Sequence, residues 1–215
     1  MAEVLFWGSL SLLFYTYIGY PCVLVLLARW KKTEPHPEAW DAWPTVSVLL
    51  AAHNEDAVIR GRIENLLGLD YPKDRLEIFV VSDASTDQTD SIVSEYRDRG
   101  VTFMTRRNRA GKTAALNAAC PQARGDILLF TDANGILDAS AIKKLVRHFA
   151  RPRVGCVSGV VRYFDVKDGA AHQGEGLYMR YDSWVKKAES ALGSVVGAYG
   201  GNFAFRKEFF EPMDP

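Results

Sequence analysis

Four polar stretches follow directly on apolar runs, and each carries groups that can hold charge. Val46 to Leu50 leads into Ala51-Ala52-His53-Asn54-Glu55-Asp56, and Ile78 to Val81 leads into Ser82-Asp83-Ala84-Ser85-Thr86-Asp87. Val101 to Thr105 leads into an arginine-rich loop and Gly111-Lys112. Ile127 to Phe130 ends in Thr131-Asp132-Ala133-Asn134-Gly135. Carboxylate and amide oxygens are what hard cations take, so Asp132 and Asn134 are candidates for Mg2+ or Mn2+. Lys112 brings a point charge for a phosphate. It stands where a helix would open, and free N–H groups and the helix dipole favour an anion there. Asp83 lies before the helix-start signature Ser85-Thr86-Asp87, where a side chain faces a crevice, which points to ligand contact.

Plainer roles compete at several positions. Asn54 and Asp87 both suit helix N-caps, and Asn134-Gly135 suits a turn. Arg109 to Leu116 looks like a phosphate-binding P-loop, but that pattern needs a glycine where Arg106 stands. A calcium-binding EF-hand does not fit Asp132 either, because glycine comes too early and no spaced acids follow.

The elements that must position these groups alternate. Apolar β-type runs at Thr45–Ala52, Leu76–Asp83, Val101–Thr105 and Asp126–Asp132 are separated by helical stretches at Glu55–Leu67, Asp87–Arg99, Lys112–Cys120 and Ala139–Ala150. Strands alternating with helices predict a mainly parallel sheet covered on both faces, and continuous apolar strands suit that burial. In such sheets ligands bind outside the carboxyl ends of the strands, which is where the four polar stretches fall. A longer strand region over Val154–Phe164 is expected next. A helix over Glu175–Ser190 with Leu177, Tyr181, Trp184 and Val185 on one face follows, then a short strand over Gly201–Phe210 entering a helix.

The chain of 215 residues carries 26 basic and 26 acidic side chains, so nothing suggests nucleic acid as a partner. Three scattered cysteines, Cys22, Cys120 and Cys156, suggest no disulfide framework and read as small apolar fillers. No charge occurs from Val4 to Ala28. As a helix this stretch is roughly 37 Å long, enough to span a bilayer core. Arg29, Lys31 and Lys32 follow it, which puts the rest of the chain on the cytoplasmic side of the cell membrane. The expected organisation is a transmembrane helix over 1–30, a proline-containing linker over 31–44 and one α/β domain over 45–215.

Taken together, VSVLLAAHNE, EIFVVSDASTDQT, NRAGKTAALN, GDILLFTDAN and GGNFAFRKE, in this order, resemble the family 2 glycosyltransferases. The likeness is to the membrane-bound processive type related to cellulose, chitin and hyaluronan synthases, and it covers roughly Thr45 to Glu208. It implies a GT-A, Rossmann-like fold and inverting transfer from a nucleotide-sugar, a UDP-sugar, to a glycan or lipid-linked acceptor. By position, Ala52, Asn54 and Glu55 would line the nucleotide pocket and Asp83 would contact uracil or ribose. Lys112 would lie near the diphosphate, and Asp132 and Asn134 would meet ribose and the divalent metal. Gly200, Gly201 and Asn202 would line the donor-sugar and acceptor region.

Two departures stand out. Asn134 replaces the second acid of the family's Asp-x-Asp. No carboxylate matches the catalytic base, which the resemblance sets beyond Pro215, and Glu175, Asp182 and Glu189 read as helix-surface charges. The chain is thus expected to be a C-terminally truncated donor-binding half. The alternatives are a catalytically incomplete membrane-tethered module that binds a nucleotide-sugar or a partner subunit, or a nucleotidyltransferase, for which the glycine-rich loop after the first strand is missing.

Overall fold

The computed structural model describes residues 1–31, 43–160 and 177–214. In chain order the elements are α1 (Ala2–Trp30), β1 (Val46–Ala52), α2 (Asp56–Leu67), β2 (Leu76–Asp83), α3 (Thr89–Ser94), β3 (Val101–Arg106) and α4 (Gly111–Ala119). They continue with β4 (Ile127–Thr131), α5 (Ala141–Val146), β5 (Cys156–Ser158), α6 (Leu177–Leu192) and β6 (Asn202–Arg206). The chain divides into two compact units, one of 1–35 with 162–197 and one of 36–161 with 198–215.

The second unit is the expected α/β layer structure. Its sheet order is β3-β2-β1-β4-β6-β5. The first four strands are parallel, β6 runs antiparallel to β4, and β5 antiparallel to β6. Alternate residues of each strand enter opposite cores. Val48, Leu50, Val80 and Leu129 meet Ile59, Ile63 and Leu66 of α2 and Ile142 of α5 on one face. Leu49, Phe79, Leu128 and Phe130 meet Ala115, Leu116 and Ala119 of α4 on the other. Burial on both faces is why these strands read as unbroken apolar runs. Trp43 packs edge-on against Tyr71, with ring centroids 5.7 Å apart; Trp40 and most of the expected linker lie outside the described residues.

Several elements are shorter than the sequence suggests. The helix expected over Asp87–Arg99 is α-helical only over Thr89–Ser94. There Ser91 and Ser94 hydroxyls donate back to the carbonyls of Gln88 and Asp90, a local competitor of the helix ladder. Gly100, at φ 86°, then turns the chain into β3. The long strand expected after Val154 is β5 alone among the described residues. Cys120 is buried, as expected, but Cys22 and Cys156 are exposed rather than fillers.

The first unit pairs α1 with α6. A π-helical turn at Tyr15–Gly19 precedes Pro21. Proline has no N–H to give the carbonyl of Tyr17, and the Tyr181 hydroxyl donates to that carbonyl at 2.8 Å. Glu189, expected on the helix surface, is instead buried. Its carboxylate accepts from the Tyr20 hydroxyl at 3.0 Å and the Val196 N–H at 3.3 Å; a buried carboxylate needs such donors. Asp182 pairs with Lys186 at 2.9 Å, and Glu175 lies outside the described residues. Trp184 is 44% exposed, so the buried face of α6 does not include it as expected.

One buried acid holds the amino end of the sheet. Glu77, 7% exposed, accepts from Ser47 Oγ at 2.5 Å, from Arg124 N at 2.8 Å and from Arg124 Nε at 2.9 Å. Gly125 N in turn donates to Ser47 Oγ at 2.8 Å. Burial raises the Glu77 carboxyl, but the Arg124 and Ser47 hydrogen bonds outweigh it and hold the group below the usual carboxylate range. A depressed carboxyl stabilises the fold above its unfolded pKa and loses that contribution as pH falls through the folded value. Glu77→Gln should cost about 1–3 kcal/mol at neutral pH. In urea unfolding of the chain in detergent, the gap to the parent should close below about pH 4.

Candidate functional site

All four polar stretches come to the carboxyl edge of the parallel strands. The chain leaves β1 toward β2 on one side and reaches β4 on the other, so the switch in direction lies between β1 and β4. An open cavity of about 350 Å3 lies at this edge, lined by Ala52, His53 and Glu55 from β1, Asp83 from β2, Arg109 and Lys112 before and in α4, and Asp132 and Asn134 after β4.

The ends of β1 and β2 are knit to each other. Asn54 takes the left-handed conformation, φ 54°, which asparagine tolerates. Its Oδ1 accepts from Thr86 N at 2.8 Å and its N–H donates to Ser85 Oγ at 3.2 Å. Asn54 is therefore neither a helix cap nor a cavity wall; it is spent on the neighbouring loop. Gln88, not Asp87 as expected, is the N-cap of α3; Asp87 lies one residue earlier and accepts from Thr89 N at 2.9 Å and from Asp56 N of α2 at 3.1 Å. Glu55 N donates to Thr89 Oγ1 at 2.8 Å. His53 Nδ1 lies 2.8 Å from the Asp83 carbonyl and so donates to it.

Asp83 is 3% exposed. Its carboxylate accepts from Gly111 N at 2.6 Å, from Ala110 N at 3.1 Å and from Arg106 Nη1 at 3.3 Å. This corrects the expectation that the amides opening α4 are free for a phosphate. Asp83 already serves as the anion at that helix start, because a buried carboxylate must find donors and these amides are aimed at it. What remains for a ligand is the charge of Lys112 and of Arg109, whose only mark in the sequence is its place in a basic loop.

Lys112 is paired with Asp132 Oδ1, and its ammonium also donates to the Gly200 carbonyl at 3.3 Å. A Cβ on Gly201 would lie 2.3 Å from Asp132 Oδ2, so only glycine leaves that carboxylate its place. Gly201 thus packs against the Asp132 carboxylate, while Gly200 reaches Lys112 through its carbonyl. Asn202 is partly buried, and its Oδ1 has no hydrogen-bond partner among the described residues. Asn134 is exposed on the cavity wall beside Asp132.

A divalent cation fits this turn with help. One carboxylate, Asp132, and one amide oxygen, Asn134, are hard donors, and the Lys112 ammonium shows that the carboxylate is presented to a cation. Among the described residues no group of three His, Cys, Asp or Glu could hold a metal unaided. The missing ligand oxygens must come from water and from an anionic ligand.

A mainly parallel α/β sheet carries two cations and one acid-amide turn at its switch point, the place where such folds bind ligands. The chain matches glycosyl transferase family 2 over residues 47–213 and belongs to that family. It is 31% identical over 204 residues to the beta-monoglucosyldiacylglycerol synthase of Nostoc sp. strain PCC 7120, covering 93% of this chain and 43% of that protein. It is 41% identical over 177 residues to the probable glycosyltransferase YdaM of Bacillus subtilis strain 168, covering 79% of this chain and 42% of that protein. Among solved structures, the mannosyltransferase PcManGT from Pyrobaculum calidifontis, in complex with GDP-Man and Mn2+, superposes with a TM-score of 0.72. That match has 28% identity and covers 92% of this chain and 55% of that one. The chain thus spans less than half the length of the curated relatives it matches.

Gly201→Ala gives a direct test of the geometry. The three atoms nearest the added Cβ all belong to the half-exposed Asp132 side chain, which can turn aside, so stability should change by less than about 1 kcal/mol. Displacing Asp132 should weaken Mn2+ binding in the presence of UDP by about ten-fold or more. Unchanged binding by paramagnetic resonance titration would show that Asp132 does not sit against Gly201.

Proposed function

We propose that the chain binds a nucleotide-sugar, a UDP-sugar, at the cavity between β1 and β4 and serves inverting transfer of the sugar to a glycan or lipid-linked acceptor. The observation that carries this reading is the convergence of Asp83, Lys112 and Asp132 with Asn134 on one cavity at the switch point. Membership of the family and the GDP-Man and Mn2+ complex of the structural neighbour support it. The named activity of the Nostoc relative and the apolar helix α1 favour a lipid as acceptor.

On this reading Ala52, His53 and Glu55 form the nucleoside side of the cavity, and Asp83 fixes the loop that carries Arg109 and Lys112. The diphosphate takes Lys112 from Asp132 and gains Arg109. Asp132 and Asn134 would hold a divalent cation, which when bound would supply Lewis-acid stabilisation of the leaving charge. The acceptor hydroxyl attacks the anomeric carbon, the bond from that carbon to the diphosphate oxygen breaks, and its electron pair leaves with the diphosphate. Lys112 stabilises that charge. The hydroxyl proton goes to a general base that the family pattern sets C-terminal to the segment matching Phe205–Phe210. Gly200, Gly201 and Asn202 face the transferred sugar.

Calorimetric titration with UDP, GDP and UDP-sugars, with and without Mn2+, tests the reading. UDP should bind more tightly with Mn2+; Asp132→Ala should lower affinity at least about 100-fold, the scale of a lost charged contact, and Asp83→Ala should do so comparably by releasing the loop that carries Arg109 and Lys112. Failure of every nucleotide to bind under either condition would sink it. Binding without sugar transfer would favour a tethered binding module instead.

We also assign α1 the role of a membrane anchor, with the sheet unit on the cytoplasmic side. The helix is 29 residues long and apolar, and Arg29 follows its last apolar turn. The chain should stay with membranes through carbonate extraction; release into the supernatant would overturn the anchor.

A further inference from the structure

Behind the Asp132 turn stands a cation that the proposed reaction does not use. Arg62 of α2 is 2% exposed. It occupies the sheet-facing stripe of that helix, between Ile59 and Leu66, both fully buried. Its Nη2 donates to Thr131 Oγ1, itself buried at the end of β4. Its Nη1 donates to Asn65 Oδ1 at 2.6 Å, and its Nε has no partner among the described residues. No carboxylate forms an ion pair with it there. Burial lowers its pKa to about 10, with the nearby Asp132 opposing that shift, so it remains charged at neutral pH.

Asn65, one turn further along α2, completes the arrangement. Its Nδ2 donates to the Leu137 carbonyl at 2.9 Å, and its Oδ1 accepts from Leu137 N at 2.9 Å. The segment that carries Asp132 and Asn134 is therefore held at its first residue by Arg62 and at its far end by Asn65. Ala133 and Leu137 also bury their side chains in the core, while within the turn the backbone bond is Gly135 N to the Asp132 carbonyl at 3.4 Å.

Stability does not account for Arg62. Removing a guanidinium from water without a carboxylate partner is costly, and an apolar residue of similar volume in such a place is often neutral or stabilising. The helix stripe at this position otherwise holds isoleucine and leucine. We propose that Arg62 and Asn65 are positioning residues that clamp the 131–137 turn from behind, so that Asp132 and Asn134 meet the cation and the donor diphosphate in one geometry. This rests on the cation site of the preceding section.

The test uses the chain with α1, in detergent, and the variants Arg62→Met, Arg62→Lys and Asn65→Ala. Two signals are read: amide hydrogen exchange over 132–137, and Mn2+ affinity in the presence of UDP by paramagnetic resonance. Arg62→Met should melt at or above the parent temperature, yet exchange faster across 132–137 and bind Mn2+ about 10- to 100-fold more weakly, the scale seen for groups that orient metal ligands. Arg62→Lys should recover part of the affinity. Asn65→Ala should speed exchange in the same segment and weaken Mn2+ similarly.

Unchanged exchange over 132–137 in folded Arg62→Met and Asn65→Ala overturns the clamp. So does parent-like Mn2+ affinity in both. Loss of Mn2+ only in step with global loss of protection also overturns it, because Arg62 is then structural. If Arg62→Met does not fold, Asn65→Ala decides by the same two signals. If the parent chain binds no Mn2+ with UDP, the cation reading fails by itself, and exchange over 132–137 still decides whether the clamp exists.

Discussion

The carboxyl edge of this sheet depends on one buried carboxylate. Asp83 ends β2 and accepts the first amides of α4 together with Arg106 of β3. A carboxylate at a helix start is favoured by the dipole and by the amides that lack helical partners. Through it the end of β2 and the start of α4 share one position. That position sets where Lys112, in the first turn of α4, reaches Asp132 after β4. Without Asp83, the loop from Arg106 to Ala110 would have no fixed anchor at this edge, and the cation facing Asp132 would have no fixed origin.

The β1 loop is held by the same logic with neutral groups. Asn54 and Glu55 are tied to Ser85, Thr86 and Thr89 by backbone-to-side-chain hydrogen bonds. The strain of a left-handed Asn54 and a left-handed Ala84, φ 58°, is carried by these cross-ties. Positive φ in a non-glycine residue persists only where surrounding contacts over-determine it. Both outliers follow directly on strand residues that reach the cavity, and nowhere else among the described residues is there a non-glycine residue at positive φ.

The sheet was legible because its central strands are buried on both faces, and Val46–Ala52, Leu76–Val81 and Ile127–Phe130 carry unbroken apolar runs. The crevice was legible because polar groups cannot follow such runs by accident of packing; they mark where the strands end. The partners of those groups were not legible. A sequence shows that Asp83 is an acid at a strand end, but whether it meets a ligand or an amide is fixed by the fold around it. Glu189 was misjudged for the same reason, since only the pairing of α6 with α1 buries it. Arg62 did leave a signal: it stands at the core spacing of α2, three residues after Ile59 and four before Leu66, where the helical period asks for an apolar side chain.

The charges around Asp132 explain why an asparagine can stand where the family pattern has a second acid. Lys112 lies in front of this carboxylate and Arg62 behind it, while Asp83 is already committed to Arg106 and two amides. A bare divalent cation entering this turn would have to displace Lys112 and would meet the turn's one carboxylate, Asp132, with positive charges on both sides. Coulomb repulsion over such short distances is large in a partly desolvated site. On the proposed reading, a cation that arrives with a diphosphate brings its own anionic oxygens and gives Lys112 a new partner, so both obstacles fall together. A second acid at 134 would reverse this balance and let the turn hold the cation alone. On that reading Asn134 makes cation binding conditional on the donor.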